Sequence, residues 1–479
     1  MDVIGRKYEQ RELQRCYNSK EAEFVVVYGR RRIGKTFLVN QFFNQKFDFK
    51  LTGIYDKELN VQLDNFSDSL KEYSGKNDWE TPTNWREAFM QLKQHITDIH
   101  HKGKKVVFID EMPWLDTRNS DFFSSFEWFW NNWGSTQNDL LLIVCGSATS
   151  WITNKLLSNK GGLFNRTTNR IYLRQFSLAE TEEYLRSQGV KWSRYDITEC
   201  YMTMGGIPFY LKQINPKLSY NANIDTMFFA KRGKLWDEFS HLFKTLFSTP
   251  ENYIAVVEAL AQKRMGLTRE EILKATKLPD NGNTTEILNN LINSDFVRPY
   301  NYFGKRKKGM VFQLSDYYTL FYFRFIKEHY GQDEEFWSHT IDNPSRTAWA
   351  GYSFEQVCKD HLSQIKKAIG ISAVLCETSC WYSTNGDAPG IGTVQIDFLI
   401  DRRDHVINLC EMKFSISEFA ITKEYEVNLR NKIAALQAYI KNKKAINLTM
   451  VTTYGVKENL HSGIVQSEVT LDNLFATNS

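Results

Sequence analysis

The 479-residue sequence has no apolar run long enough to cross a bilayer: Phe24 to Tyr28 and Leu140 to Cys145, the longest, fall far short of the roughly 20 residues a spanning helix needs. Its opening, MDVIGRKYEQ, has no apolar stretch of the kind a secretory leader carries, so the expected location is the cytoplasm, away from membranes. Charge of one sign is also scarce. Sixty basic residues against 56 acidic ones leave a formal charge of only +4, so no global field draws a polyanion, and nucleic-acid affinity must come from local patches. The seven cysteines (Cys16, Cys145, Cys200, Cys358, Cys376, Cys380 and Cys410) are odd in number, scattered and without CxxC pairs beside histidines. This argues for reduced thiols rather than a disulfide framework or a zinc site. Internal repeats and low-complexity tracts are absent. What is present is 42% hydrophobic residues on a chain long enough for several cores, on the order of three to four domains.

Over residues 1–175, short apolar runs (EFVVVYG, KKVVFIDE, LLLIVCGS) alternate with longer amphipathic stretches, as buried parallel strands separated by helices do. Residues 176–245 lack such runs and read as a helical lid, with a capping box from Ser177 to Glu180. Residues 246–330 read as three helices and a hairpin, the outline of a winged helix. After a polar connector, DNPSRTAWAG, residues 349–479 read as a separate α/β domain. The aromatic run FFSSFEWFWNNW can be taken for a base-stacking surface, but its helical spacing favours a buried face.

GRRRIGKT (Gly29, Arg30, Arg31, Arg32, Ile33, Gly34, Lys35, Thr36) fits GxxxxGK[ST] and lies between an apolar strand and a helical segment that begins with Phe37. In such a loop the backbone N–H groups wrap phosphates, the lysine reaches the β and γ oxygens, and the threonine hydroxyl binds magnesium. VVFIDE then supplies Asp110 for the magnesium and Glu111 for the attacking water at the end of another buried strand, so ATP and Mg2+ are the expected ligands and hydrolysis the expected reaction. Ser147 ends a third strand and either touches the γ-phosphate or water, or merely caps the strand. Arg166 is either an arginine finger or a surface residue.

GRKYEQREL, GRRRIGKT, FIDE, CGSATS, GLFNR and GGIPFYL together resemble the archaeal-type ATPases of the STAND branch of the AAA+ proteins, over about the first 330 residues. The resemblance implies a P-loop AAA+ core with a parallel sheet, in which Gly5, Arg6 and Glu9 border the nucleotide. It also implies that Gly206 and Pro208 belong to a lid that senses nucleotide state; read without it, Gly-Gly-x-Pro is an ordinary helix-breaking turn.

A winged helix would set its third helix, about Asn283 to Asn293, in a major groove and its hairpin tip, Lys305 to Lys308, on phosphates. That basic tip is otherwise a solvated turn. The third helix carries Glu286 and no arginine or lysine, poor equipment for reading guanines, so DNA contact and a structural role both stay open.

QIDFLIDRRDHVINLCEMKF reads as two strands joined by a polar turn. Asp397 lies on the first, and Glu411 and Lys413 share a face of the second. Two carboxylates and a lysine so placed suit metal-assisted phosphodiester hydrolysis. The arrangement resembles the PD-(D/E)xK nuclease superfamily, which implies a restriction-endonuclease-like fold and an additional acid on the preceding helix, here Glu355, as a further metal ligand with Asp397 and Glu411. Ile396 stands where that pattern often has proline. The plain alternative for Glu-x-Lys is an ion pair on an exposed strand. Three functions follow: an ATP-controlled DNA nuclease; an ATP/ADP signalling switch acting on a regulatory protein partner or a homo-oligomer; and a nucleic-acid motor, for which no pore loops are recognisable.

Overall fold

The computed structural model describes residues 3–147, 151–157, 163, 165–247, 249–304, 310–383, 393–441 and 443–477. The basic run Lys305 to Lys308 lies outside the described residues. The chain divides into two compact units, Met1–Gln175 and Phe176–Ser479.

In the first unit, five strands form one parallel sheet: β1 (Glu23–Tyr28), β2 (Phe49–Thr52), β3 (Lys105–Asp110), β4 (Leu140–Gly146) and β5 (Asn169–Tyr172), in the order β2-β3-β4-β1-β5. Parallel strands covered on both faces must be apolar along their whole length. Every residue of β4 is buried, as are the first five of β1. The Phe122–Asn132 helix turns Phe122, Phe126, Phe129 and Trp130 into this core, and the Phe24 ring meets Phe126 and Trp130 at 5.6 and 5.1 Å. The aromatic run is therefore an inward face. Inserting β4 between β1 and β3 brings the carboxyl ends of three strands together, the position where open α/β sheets bind ligands.

The second unit opens with the helices Leu178–Ser187 and Arg194–Met204. Each starts with a capping box, Ser177 with Glu180 and Ser193 with Asp196, which satisfies backbone donors the helix cannot reach itself. The segment expected as a winged helix holds the helices Pro250–Ala261, Arg269–Thr276 and Gly282–Asn293 and a small sheet ordered β6 (Leu267–Thr268), β8 (Met310–Leu314), β7 (Val297–Asn301). Beyond β7, Phe303 N donates to the Cys380 carbonyl at 2.8 Å, tying the base of this hairpin to the next sheet.

That next sheet is mixed, in the order β13-β12-β11-β10-β9. Its strands are β9 (Cys376–Ser383), β10 (Val394–Arg402), β11 (Val406–Lys413), β12 (Ala445–Thr452) and β13 (Ser467–Thr470), with the Lys423–Tyr439 helix between β11 and β12. β9, β10 and β11 run antiparallel, and β11, β12 and β13 parallel. The stretch expected as a polar connector is instead helical: Pro344–Asp360 is continuous, because the Asn343 side chain caps it and Pro344 sits at the first turn, where its missing N–H costs nothing.

Candidate functional site

Two clusters of functional side chains form, one in each compact unit. In the first unit, the turn after β1 can only be glycine at its start. Gly29 has φ +144°, and a Cβ there would lie 2.3 Å from the Leu173 carbonyl oxygen. Gly34, at φ +87°, then reverses the chain into the Lys35–Phe42 helix, whose first N–H groups face the loop. The Lys35 ammonium is buried and donates to the Gly29 and Arg30 carbonyls at 2.9 and 2.8 Å. Burial pulls its pKa down, while Glu111 and Asp110 oppose the shift. Arg31 Nη1 is buried and has no hydrogen-bond partner among the described residues. Ile33 is buried, Arg32 takes a positive φ of 71°, and Phe37 points outward, 44% exposed.

Asp110, at the end of β3, is buried, and burial raises its carboxyl pKa. The neighbouring Glu111 adds to the rise, against hydrogen bonds from Thr36 and Cys145. The loop threonine and the strand aspartate are thus already in contact. Glu111 has φ +46°, a left-handed backbone that non-glycine residues adopt rarely. It turns the carboxylate onto Ser147, whose N–H and hydroxyl donate to it at 3.0 and 2.8 Å. Backbone strain at a functional carboxylate is a recognised device for fixing its direction.

Arg6 is buried and donates to the Ile33 carbonyl at 3.3 Å, with Glu9 at 3.7 Å from its guanidinium; Gly5 is buried beside it. The opening segment and the phosphate loop are therefore joined. Arg166 follows the turn at Leu163 and is exposed. Pro208, in the second unit, occupies the first turn of the short Pro208–Leu211 helix. Gly206 precedes it where a Cβ would fall 2.1 Å from the Phe176 carbonyl oxygen, so this glycine is required by close packing.

The second cluster lines a cavity of about 370 Å³ that holds Glu355, Asp397, Glu411 and Lys413. Phe398 pairs with Cys410 at the end of the β10–β11 ladder, and Asp397 and Glu411 are the next residue on each strand. Glu355 comes from the Pro344–Asp360 helix and is buried. Burial and the Asp397 charge push its carboxyl up to about 7, against the pull of Arg264 and Lys359. An ion pair with Arg264 engages Glu355 directly. Glu411 is held by the Tyr425 hydroxyl at 2.9 Å and by the Lys432 ammonium, and Gln395 donates to Asp397 at 2.6 Å. Lys413 lies 4.9 Å from the Tyr425 ring centroid. Among the described residues, no three His, Cys, Asp or Glu side chains close on one point.

Arg264, Lys432, Tyr425 and Gln395 did not emerge from the sequence. Tyr425, Asn428 and Lys432 recur at helical spacing on the Lys423–Tyr439 helix, a polar stripe that was available as a signal. Arg264 lies 91 residues before Glu355 and carried none.

Residues 4–214 match a family model described as an ATPase domain predominantly from Archaea. An uncharacterized protein of Methanocaldococcus jannaschii is 27% identical over 375 residues, 76% of this chain and 78% of that protein. An uncharacterized ATP-binding protein of the same organism is 42% identical over 43 residues, 9% of this chain and 73% of that protein. A solved Walker-type ATPase of Pyrococcus abyssi superposes with a TM-score of 0.46 at 15% identity, covering 67% of this chain and 96% of that one.

Proposed function

With residues 4–214 belonging to that archaeal family, the chain is an archaeal-type ATPase of the P-loop class, and we propose that its nucleotide state governs a magnesium-dependent, DNA-cutting site in the C-terminal cavity. In this reading residues 1–175 are a STAND-type AAA+ core and residues 176–245, with Gly206 and Pro208, are a helical lid. Residues 246–330 are a winged helix, and residues 349–479 are a PD-(D/E)xK-like domain.

The N–H groups from Gly29 to Thr36 receive the phosphates, and Lys35 exchanges its two carbonyl partners for phosphate oxygens. Arg31, with its unpartnered buried nitrogen, and Arg166 add positive charge at the γ position. Thr36 and Asp110, a hydroxyl and a carboxylate already in contact, are hard oxygen donors that fit Mg2+ and would hold it. Glu111, oriented by Ser147, takes the proton of the attacking water.

In the cavity, Glu355, Asp397 and Glu411 present hard carboxylate oxygens of the kind Mg2+ prefers; they do not close on one point while Arg264 and Lys432 engage Glu355 and Glu411, and would hold the ion once those pairs open. Bound there, a divalent ion supplies Lewis acidity and a more acidic water. Lys413 faces the charge that develops on the phosphorane. The single observation that carries the reading is that one helix and one hairpin, with Glu355 and Asp397 42 positions apart in the sequence, bring these four side chains to the same cavity.

A second reading, an ATP/ADP switch whose C-terminal domain engages a protein partner or another copy without cutting, is favoured by the ion pairs that engage Glu355 and Glu411. Cleavage of supercoiled and linear DNA by wild type and Asp397→Ala, with Mg2+ or Mn2+ and with or without ATP, separates the two. Cleavage that Asp397→Ala abolishes and ATP alters is the expected result. No cleavage of either DNA under any of these conditions selects the switch.

A further inference from the structure

The C-terminal cavity draws one side chain from far outside its own sheet. Arg264 belongs to the turn between the Pro250–Ala261 helix and β6, and its guanidinium reaches Glu355 while lying 5.6 Å from the Tyr352 ring centroid. The backbone of this turn is clamped from three sides. Gln313 donates to the Arg264 carbonyl at 2.9 Å, and the Tyr300 hydroxyl donates to the Met265 carbonyl. Gly266, at φ +78°, packs so tightly that a Cβ would meet the Phe312 carbonyl oxygen at 2.3 Å. The side chain, by contrast, is 52% exposed. A fixed backbone carrying a half-exposed guanidinium into an acidic cavity presents that group; it does not bury it.

The cavity carries both signs of charge. Among the lining side chains Glu355, Asp397 and Glu411 face Arg264, Lys413 and Lys432, and the Lys359 charge also acts on Glu355. A divalent cation taken up by the carboxylates leaves the cavity with positive charge in excess, and a polynucleotide backbone is the chemistry that meets it. We propose that Arg264 is a phosphate-anchoring residue of the C-terminal site, donated by the winged-helix segment and tied down by Glu355 until a divalent cation claims that carboxylate. Cation and polynucleotide then bind with positive coupling, because each relieves the other's competitor. Guanidinium suits the task, since its planar fork grips phosphate with two parallel hydrogen bonds. The inference rests on the nuclease-like reading of the cavity and assigns it a substrate-binding group from another segment of the chain.

The test uses the full chain without nucleotide. Mn2+ binding is followed by the EPR signal of the free ion. Binding of a fluorescein-labelled 30-base-pair duplex is followed by anisotropy with and without Ca2+, with strand integrity checked on a gel. In wild type, Ca2+ should tighten duplex binding about tenfold, the scale of one charge-assisted contact. Arg264→Gln should bind Mn2+ more tightly, lose the Ca2+ effect on duplex binding, and show a salt slope in the presence of Ca2+ shallower by about 0.9, one phosphate contact fewer. Arg264→Lys should keep most of the slope. Glu355→Gln, which frees Arg264 from the other side, should bind the duplex without Ca2+ nearly as tightly as wild type does with it. If Arg264→Gln strengthens Mn2+ and duplex binding together, the arginine is only a plug, and if it changes neither, the pair is structural. Either outcome overturns the inference and spares the cavity's reading, provided that wild type binds an Mn2+ that Asp397→Ala loses. If wild type binds no such Mn2+, the reading and the inference fall together.

Discussion

Glu111 shows how much one residue's backbone can decide. Its backbone is left-handed, φ +46°, and its carboxylate accepts from the Ser147 N–H and hydroxyl. The two acids are sequence neighbours, yet one contacts the loop threonine and the other the tip of the next strand. In the proposed mechanism this separation assigns the metal to Asp110 and the water to Glu111. Glu111→Gln should therefore keep nucleotide affinity, measured by equilibrium binding, while hydrolysis falls by about 10²- to 10⁴-fold, the range for loss of a general base. Ser147→Ala removes one of two donors to that carboxylate and should cost less, about tenfold in kcat. Unchanged hydrolysis in Glu111→Gln would remove the base from Glu111.

Among elements, the Pro344–Asp360 helix packs against both β11 and the Arg194–Met204 helix. It carries Glu355 to the cavity and Arg346 into the interior, where Arg346 donates to the Trp337 carbonyl at 2.9 Å and to Asn221 at 2.8 Å and lies 3.5 Å from Glu199 on the Arg194–Met204 helix. Burial raises the Glu199 pKa against the Arg346 charge. Removing one partner of a buried ion pair leaves the other uncompensated. Arg346→Met should thus lower stability by about 3–5 kcal/mol in urea titrations, and Glu199→Gln added to it should restore part of the loss.

Just beyond the same helix, His361 is buried and its pKa is lowered, chiefly by burial, although the Val357 carbonyl, Asp360 and Glu180 favour the charged form. Its Nδ1–H donates to Val357 O at 2.8 Å, and Nε2 accepts the Leu178 N–H at 3.0 Å, an arrangement only the neutral ring satisfies. A depressed histidine pKa means that the unfolded chain binds the proton more readily. Stability should hold above the unfolded value of about 6.5 and fall as pH drops through it toward the folded value. His361→Phe should remove that acid-side slope, at a cost of about 1–3 kcal/mol near neutral pH from the orphaned Leu178 donor. Urea midpoints across pH 5 to 8 check both.

For the whole molecule, the phosphate loop lies in the first compact unit and the C-terminal cavity is lined by residues of the second. Lys35→Ala should weaken nucleotide binding by about 10- to 100-fold, the loss of a buried charge-assisted phosphate contact. It should leave Asp397-dependent DNA cleavage in place but deaf to ATP. Cleavage that still responds to ATP in Lys35→Ala would break the proposed control. What was legible in sequence was local. The phosphate loop, the strand-end Asp110 and Glu111, the capping box at Ser177 and the β10–β11 hairpin are each written within a few consecutive residues, because backbone geometry and side-chain period act over that range. The polar stretch around Pro344 misled because composition says nothing of a cap, and the Asn343 side chain turned a connector into a helix. Tertiary structure alone decided what spans the chain: the pairing of Glu111 with Ser147, the cations that hold Glu355 and Glu411, and the reach of Arg264 into a cavity 91 residues from its own turn. Such contacts depend on how separate elements pack, and no local pattern of residues encodes that.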